Sequence, residues 1–185
     1  MSKTGRLLFQ IVLFASFGTL MYISDILMEI LPNIHLIGMF TVTFTVVYRF
    51  KALVPIYVYV FLTLLFSGLS PWTLPYLYVW TVLWAVVMLL PRNMKPLVAT
   101  FVYIAVCGLH GLLFGFLYAP AHILLFAGGD WSQFFPWVIM GLPYDAIHCA
   151  GNIFAGTLIF PLVTVLKKLP GAISTKRIGE RNENL

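Results

Sequence analysis

Apolar residues run along this chain in long blocks, with prolines, glycines and charges gathered mostly at the block ends. Cutting at those positions leaves six segments, at about 7–31, 34–48, 52–68, 74–91, 96–118 and 137–166, most of them near the ~20 residues a spanning helix requires. None shows the alternation of period two that marks a barrel strand. Only helical bundles and closed barrels satisfy backbone polar groups in hydrocarbon, so the pattern predicts an all-α, polytopic membrane protein with six transmembrane helices. The run that follows Lys3 and Arg6 continues to about Leu31 without a clear cleavage site, and reads as a first span rather than a removed leader.

Composition agrees with the pattern: 61% of the 185 residues are hydrophobic, 9% are charged, and mean hydropathy is +0.97. Charge adds an orientation. With six spans and a cytoplasmic N-terminus, the inner segments hold Lys3 and Arg6, Arg49 and Lys51, Arg92 and Lys95, then Lys167, Lys168, Lys176, Arg177 and Arg181, which are all eleven basic residues. The outer connections, around "LPNIH", "SGLSPWTLP" and "YAPAHILLFAGGDWSQFFP", hold none. The positive-inside rule therefore predicts a plasma-membrane protein with both termini cytoplasmic and residues 169–185 as a polar cytoplasmic tail. The net charge of +5 is explained by topology and anionic lipid, and calls for no nucleic-acid partner.

Against this apolar background the stretch "MGLPYDAIHCAGNIFAG" stands out, because Asp145, His148 and Asn152 are costly in lipid. Their spacing of i, i+3 and i+7 puts them on one helix stripe. With the helix starting at Pro143, Asp145 falls in its first turn, where the macrodipole favours an acid, and the other two descend from the outer end. The stripe reads either as interhelical hydrogen bonding or as the wall of a cavity, with His110 on the fifth span as a further polar candidate. Asp25 and Glu29 share a face at the outer end of the first span, but no nucleophile or water-activating motif accompanies them. Histidine spacing does not match a metal site, there is no Gly-x-Ser-x-Gly setting, and no nucleotide-binding loop is present, so neither an enzyme nor a bound cofactor or metal is expected. Cys107 and Cys149 fall within spans as small apolar residues.

Aromatic residues cluster near the outer side: Trp72, Tyr76, Tyr78, Trp80 and Trp84 in the fourth segment, and Tyr118, Trp131 and Trp137 around the last outer connection. Interfacial belts account for most. Trp80 and Trp84 lie deeper, are i, i+4, and would form one wall suited to a flat heterocyclic ligand.

Taken with the segments "PYDAIHCAGNIFAG", "WTLPYLYVWTVLWAVVMLLP" and "LFASFGTL", this layout resembles the substrate-binding S components of energy-coupling factor transporters over nearly the whole chain. The resemblance implies a pocket near the outer surface for a vitamin or similar micronutrient, docking on a membrane coupling subunit with two ATPases, and toppling to release cargo inside. It implies that Trp72, Trp80 and Trp84 pack on the ligand and that Asp145, His148, Asn152 and His110 fix its polar groups. The small-residue docking pattern of the family's first helix is met here by Ala15, Gly18 and Thr19, in place of two alanines four apart. The cobalt and nickel branch carries a histidine after the first methionine, where this chain has Ser2, so the expected cargo is organic. Two other readings stay open at this point: a proton-coupled carrier in which Asp25, Glu29 or Asp145 titrates, and a structural or assembly protein without a ligand.

Overall fold

The computed structural model describes residues 2–169. Most of the expected cytoplasmic tail therefore lies outside the described residues. The chain is all-helical, with no strand among the described residues: α1 (Lys3–Met28), α2 (Ile37–Tyr48), α3 (Leu53–Ser67), α4 (Tyr76–Leu89), α5 (Pro96–Leu112), α6 (Phe114–Leu125), α7 (Phe134–Gly156) and α8 (Ile159–Leu166), with short 3₁₀ turns at Arg49–Ala52 and Trp131–Gln133. Leu7, Leu8, Ile11, Val12, Phe61, Phe101 and Phe154 are exposed on the bundle's outside, as a lipid-facing surface requires.

By length and composition, three stretches can cross a bilayer, Lys3–Met28, Ile37–Ser67 and Pro96–Leu125. The pair Trp131–Gly156 and Ile159–Leu166, bent by 44° at its break, makes a fourth if it counts as one crossing. This is fewer than the six that the block pattern predicts. The 14 residues of α4 rise only about 21 Å against a hydrocarbon core of ~30 Å, and the expected second and third spans are individually short.

Contacts along α1 show how the short helices run. Phe17 stacks on Phe44 at 4.6 Å and Phe14 meets Tyr48 edge-on, so α2 descends as α1 rises. Arg49 then adopts φ +55°, and the chain doubles back. Lys51 Nζ donates to Gln10 Oε1 at 3.0 Å, while Tyr22 stacks on Phe66 at 5.6 Å, so α3 runs parallel to α1. Gly18 makes that pairing possible: a Cβ there would lie 2.5 Å from Val58 Cβ and 2.7 Å from the Pro55 carbonyl oxygen. Of the three residues expected on a partner-docking face, Gly18 is thus buried against α3, whereas Ala15 and Thr19 are exposed.

The two ends of the bundle differ in charge. At one end Arg49, Arg92 and Lys167 line a small hollow with Tyr103, and the Arg49 guanidinium donates to the Met88 carbonyl at 2.6 Å. At the other lie Asp25, Glu29, Asn33, Trp72 and, in a neighbouring hollow, Asp130.

Candidate functional site: an aromatic cavity above a buried polar layer

The site is built on the seam between α5–α6 and α7. Small residues bring these elements together: a Cβ on Gly111 would lie 2.8 Å from Asn152 Nδ2 and 3.0 Å from the Cys149 backbone nitrogen, and one on Gly156 would lie 3.1 Å from Ile104 Cα. Helix α7 begins at Phe134, not at Pro143, which sits in its interior. Asp145 is therefore about three turns into the helix, where the macrodipole no longer supplies a reason for an acid. Its reason is on the neighbouring segment. The path from α5 to α6 breaks at Leu113, leaving the Gly115 amide in the first turn of α6 without a helical acceptor, and that N–H donates to both Asp145 carboxylate oxygens at 3.0 and 3.1 Å. Gly115 also makes room for the acid, since a Cβ there would lie 2.6 Å from Oδ2.

One turn further along, His148 packs against Phe114 and His35, each with ring centroids 4.4 Å away. Asn152, with no exposed surface, donates from Nδ2 to the Cys107 carbonyl at 3.1 Å and fills a slot where Gly38 and Gly111 lack side chains. That bond ties α7 to α5. Trp80, also fully buried, lies among Tyr76, His110, Phe114 and His35, at centroid distances of 5.5 to 5.7 Å. His110 Nε2 pairs with the Val79 carbonyl at 3.2 Å; since a carbonyl only accepts, Nε2 carries the proton and Nδ1 is left as an acceptor. Five buried polar atoms of this layer lack a hydrogen-bond partner: His35 Nδ1, Trp80 Nε1, His110 Nδ1, His148 Nε2 and Asn152 Oδ1. So many together in one core is unusual, and together they make this layer the most polar part of the bundle interior.

Phe114 separates this layer from an open cavity of about 460 Å³ at the acidic end, a volume suited to a small organic ligand. Six aromatic rings line it, those of Trp72, Tyr76, Phe114, Tyr118, Trp137 and Tyr144, together with Asp145, Asn33, Gly115, Met140 and Gly141. Trp72 and Trp137 stack on each other at its wall, with centroids 6.2 Å apart, and the Tyr118 hydroxyl donates to the Trp72 carbonyl at 2.7 Å. A second cavity of about 290 Å³ shares Asn33, Trp72 and Tyr76 with the first and adds Asp25, Glu29 and His35. There the Asp25 carboxylate accepts from the Tyr59 hydroxyl at 2.9 Å. A third hollow, of about 320 Å³, shares Trp137 and Met140 and holds Asp130, whose carboxyl is held below the usual range by hydrogen bonds from the Ser132 hydroxyl and amide and from Gln133.

Of the residues expected at a ligand site, Asp145 and Trp72 line the cavity, and His148, His110 and Trp80 lie in the layer behind Phe114. Trp84 does not join Trp80 in one wall: it lies at the basic end, where its Nε1–H donates to the Arg49 carbonyl at 3.1 Å. Tyr76, Phe114, Tyr118, Trp137, Tyr144 and His35 are site residues that the sequence reading did not single out as ligand contacts. Among the described residues, no group of three or more His, Cys, Asp or Glu side chains could hold a metal ion, and both cysteines are free thiols. No known protein family, curated protein or solved structure matches the chain.

Proposed function

We propose that this chain is a membrane-embedded solute-binding subunit, an S component of the energy-coupling factor type, that captures an organic micronutrient from outside the cell for ATP-dependent uptake. The observation that carries this reading is the aromatic cavity of about 460 Å³ at the end of the bundle opposite Arg49, Arg92 and Lys167. With the basic end cytoplasmic, as the positive-inside rule directs, the cavity opens outward. The reversals of direction at Arg49 and between the later helices fit six traverses by short helices, with both termini cytoplasmic in the plasma membrane. Trp72 and Trp137 then form one stacked aromatic wall and Asp145 a polar anchor, while His148, His110 and Trp80 wait behind Phe114 for a ligand group that displaces the ring. Energy comes from outside the chain, through a coupling subunit and two ATPases docked on the outward face of α1 near Ala15 and Thr19.

A proton-coupled carrier is the second reading, favoured by the Asp25–Tyr59 hydrogen bond beside the adjoining cavity. Affinity purification from the native membrane, followed by reconstitution in liposomes, separates the two. The proposal expects a coupling subunit and ATPases in the eluate and uptake that stops without ATP. Concentrative uptake by the isolated chain under a proton gradient would replace it with the carrier.

A further inference from the structure

The charge lining the cavity carries information about its ligand. Asp145 is 5% exposed, yet its carboxylate accepts from a single backbone amide, that of Gly115, which leaves most of its acceptor capacity unused. No Lys or Arg lines this cavity or the two hollows that adjoin it, among the described residues, while Asp25, Glu29 and Asp130 stand in those hollows. An isolated carboxylate in such a place needs a positive partner or a proton. The surrounding surface is the kind that receives a positive partner. Trp72, Tyr76, Tyr118, Trp137 and Tyr144 present ring faces and edges around the same space, and such faces attract cations through the ring quadrupole.

The fit is specific in its geometry. The carboxylate reaches the cavity only because residue 115 has no side chain, and Gly141, whose Cβ would stand 3.9 Å from Asp145 Oδ2, keeps the approach on the other side open. A carboxylate or phosphate ligand would meet the Asp145 carboxylate as a like charge, with no Lys or Arg in the lining to balance it.

We infer that the cavity selects an organic cation, a flat aromatic or heteroaromatic ring bearing a protonated amine or a quaternary ring nitrogen, with the ring packed against the aromatic lining and the positive group against Asp145. This rests on the reading of the cavity as a ligand site and narrows its cargo: anionic micronutrients are excluded, and neutral ones bind more weakly than cations of the same shape.

A matched set of indoles tests the inference on the full chain in nanodiscs of zwitterionic lipid, by calorimetric titration with tryptamine, tryptophol and indole-3-acetate. These share one ring and differ in charge. Tryptamine is expected to bind about 10-fold or more tightly than tryptophol, with indole-3-acetate weakest, and Asp145→Asn is expected to remove the advantage of tryptamine while leaving tryptophol unchanged. The comparison among probes on the wild-type chain stands even if Asp145→Asn fails to fold. Equal or tighter binding of tryptophol or indole-3-acetate would overturn the inference, as would an advantage of tryptamine that survives in Asp145→Asn. Equal binding of all three, abolished by Trp137→Ala, would overturn the charge selection and leave the cavity as a ligand site. Binding of none of the three up to their solubility limits would overturn both.

Discussion

Gly111→Ala probes the seam on which the site is built. The added methyl would stand 2.8 Å from Asn152 Nδ2, 3.0 Å from the Cys149 nitrogen and 3.0 Å from the His148 carbonyl carbon. All are inside the roughly 3.5–4.0 Å of an ordinary contact, and two of the three are backbone atoms that cannot rotate away. Overpacking of this kind costs about 1–3 kcal/mol, against a helix-propensity gain of about 1 kcal/mol for Ala over Gly. The expected net effect is a loss of about 1 kcal/mol, with about 2 as the upper end. Gly108→Ala, one turn earlier on the same face, is the internal control. Its methyl would meet Ile153 Cγ1 at 2.7 Å, but Ile153 is 46% exposed and can turn outward. A side-chain adjustment of about 0.5–1.5 kcal/mol nearly cancels the propensity gain, so this variant should stay close to wild type. Equilibrium unfolding in mixed micelles, followed by circular dichroism, compares the two. A Gly111→Ala protein as stable as wild type, or less affected than Gly108→Ala, would refute close backbone packing of α5 on α7.

Other consequences follow from single contacts. Asn152→Ala removes the bond to the Cys107 carbonyl and should lower stability by about 0.6 kcal/mol or more while changing ligand affinity less than about 3-fold, as calorimetry on the same samples would show. In a background of Cys107→Ala and Cys149→Ala, Ser132→Cys should react with an impermeant thiol reagent in intact cells and Asn93→Cys should not; the opposite pattern would invert the orientation. The Asp130 carboxyl is held below its ordinary 3.8, so its favourable contacts with Ser132 are present above that pH and lost as pH falls through the lower folded value. The protection of the Ser132 amide against hydrogen exchange, taken relative to its intrinsic rate at each pH, should fall over that acid range, and Ser132→Ala should return the Asp130 titration toward 3.8.

Helical class and the unequal charge of the two ends were readable directly, because apolar run length and Lys/Arg placement are local properties. The polar stripe was readable in part. Asp145, His148 and Asn152 do share a face, but cutting the helix at Pro143 concealed that Trp137, Gly141 and Tyr144 continue the same face toward the acidic end. A proline inside a spanning helix is tolerated when neighbours satisfy the freed carbonyl, so proline was a weaker boundary here than in a soluble chain. Trp84 shows a different limit. Its spacing from Trp80 correctly implies a shared face, yet one helical turn of depth carries it to the basic end and a bond with Arg49. Nothing local reveals that Gly115 holds Asp145, since the pair is joined only when α6 folds onto α7. The same is true of His35, which reaches His148 from the connection before α2.

Whether the aromatic cavity holds a ligand can be read by native mass spectrometry of the protein purified from its own membrane, comparing wild type with Trp137→Ala and with Trp84→Ala. A retained small molecule is expected in the wild type, lost when Trp137 in the cavity is truncated and kept when Trp84 at the opposite end is. A wild-type protein that carries no small molecule and binds none offered to it, or one whose ligand is retained in Trp137→Ala and lost in Trp84→Ala, would contradict the reading of the cavity as a ligand site.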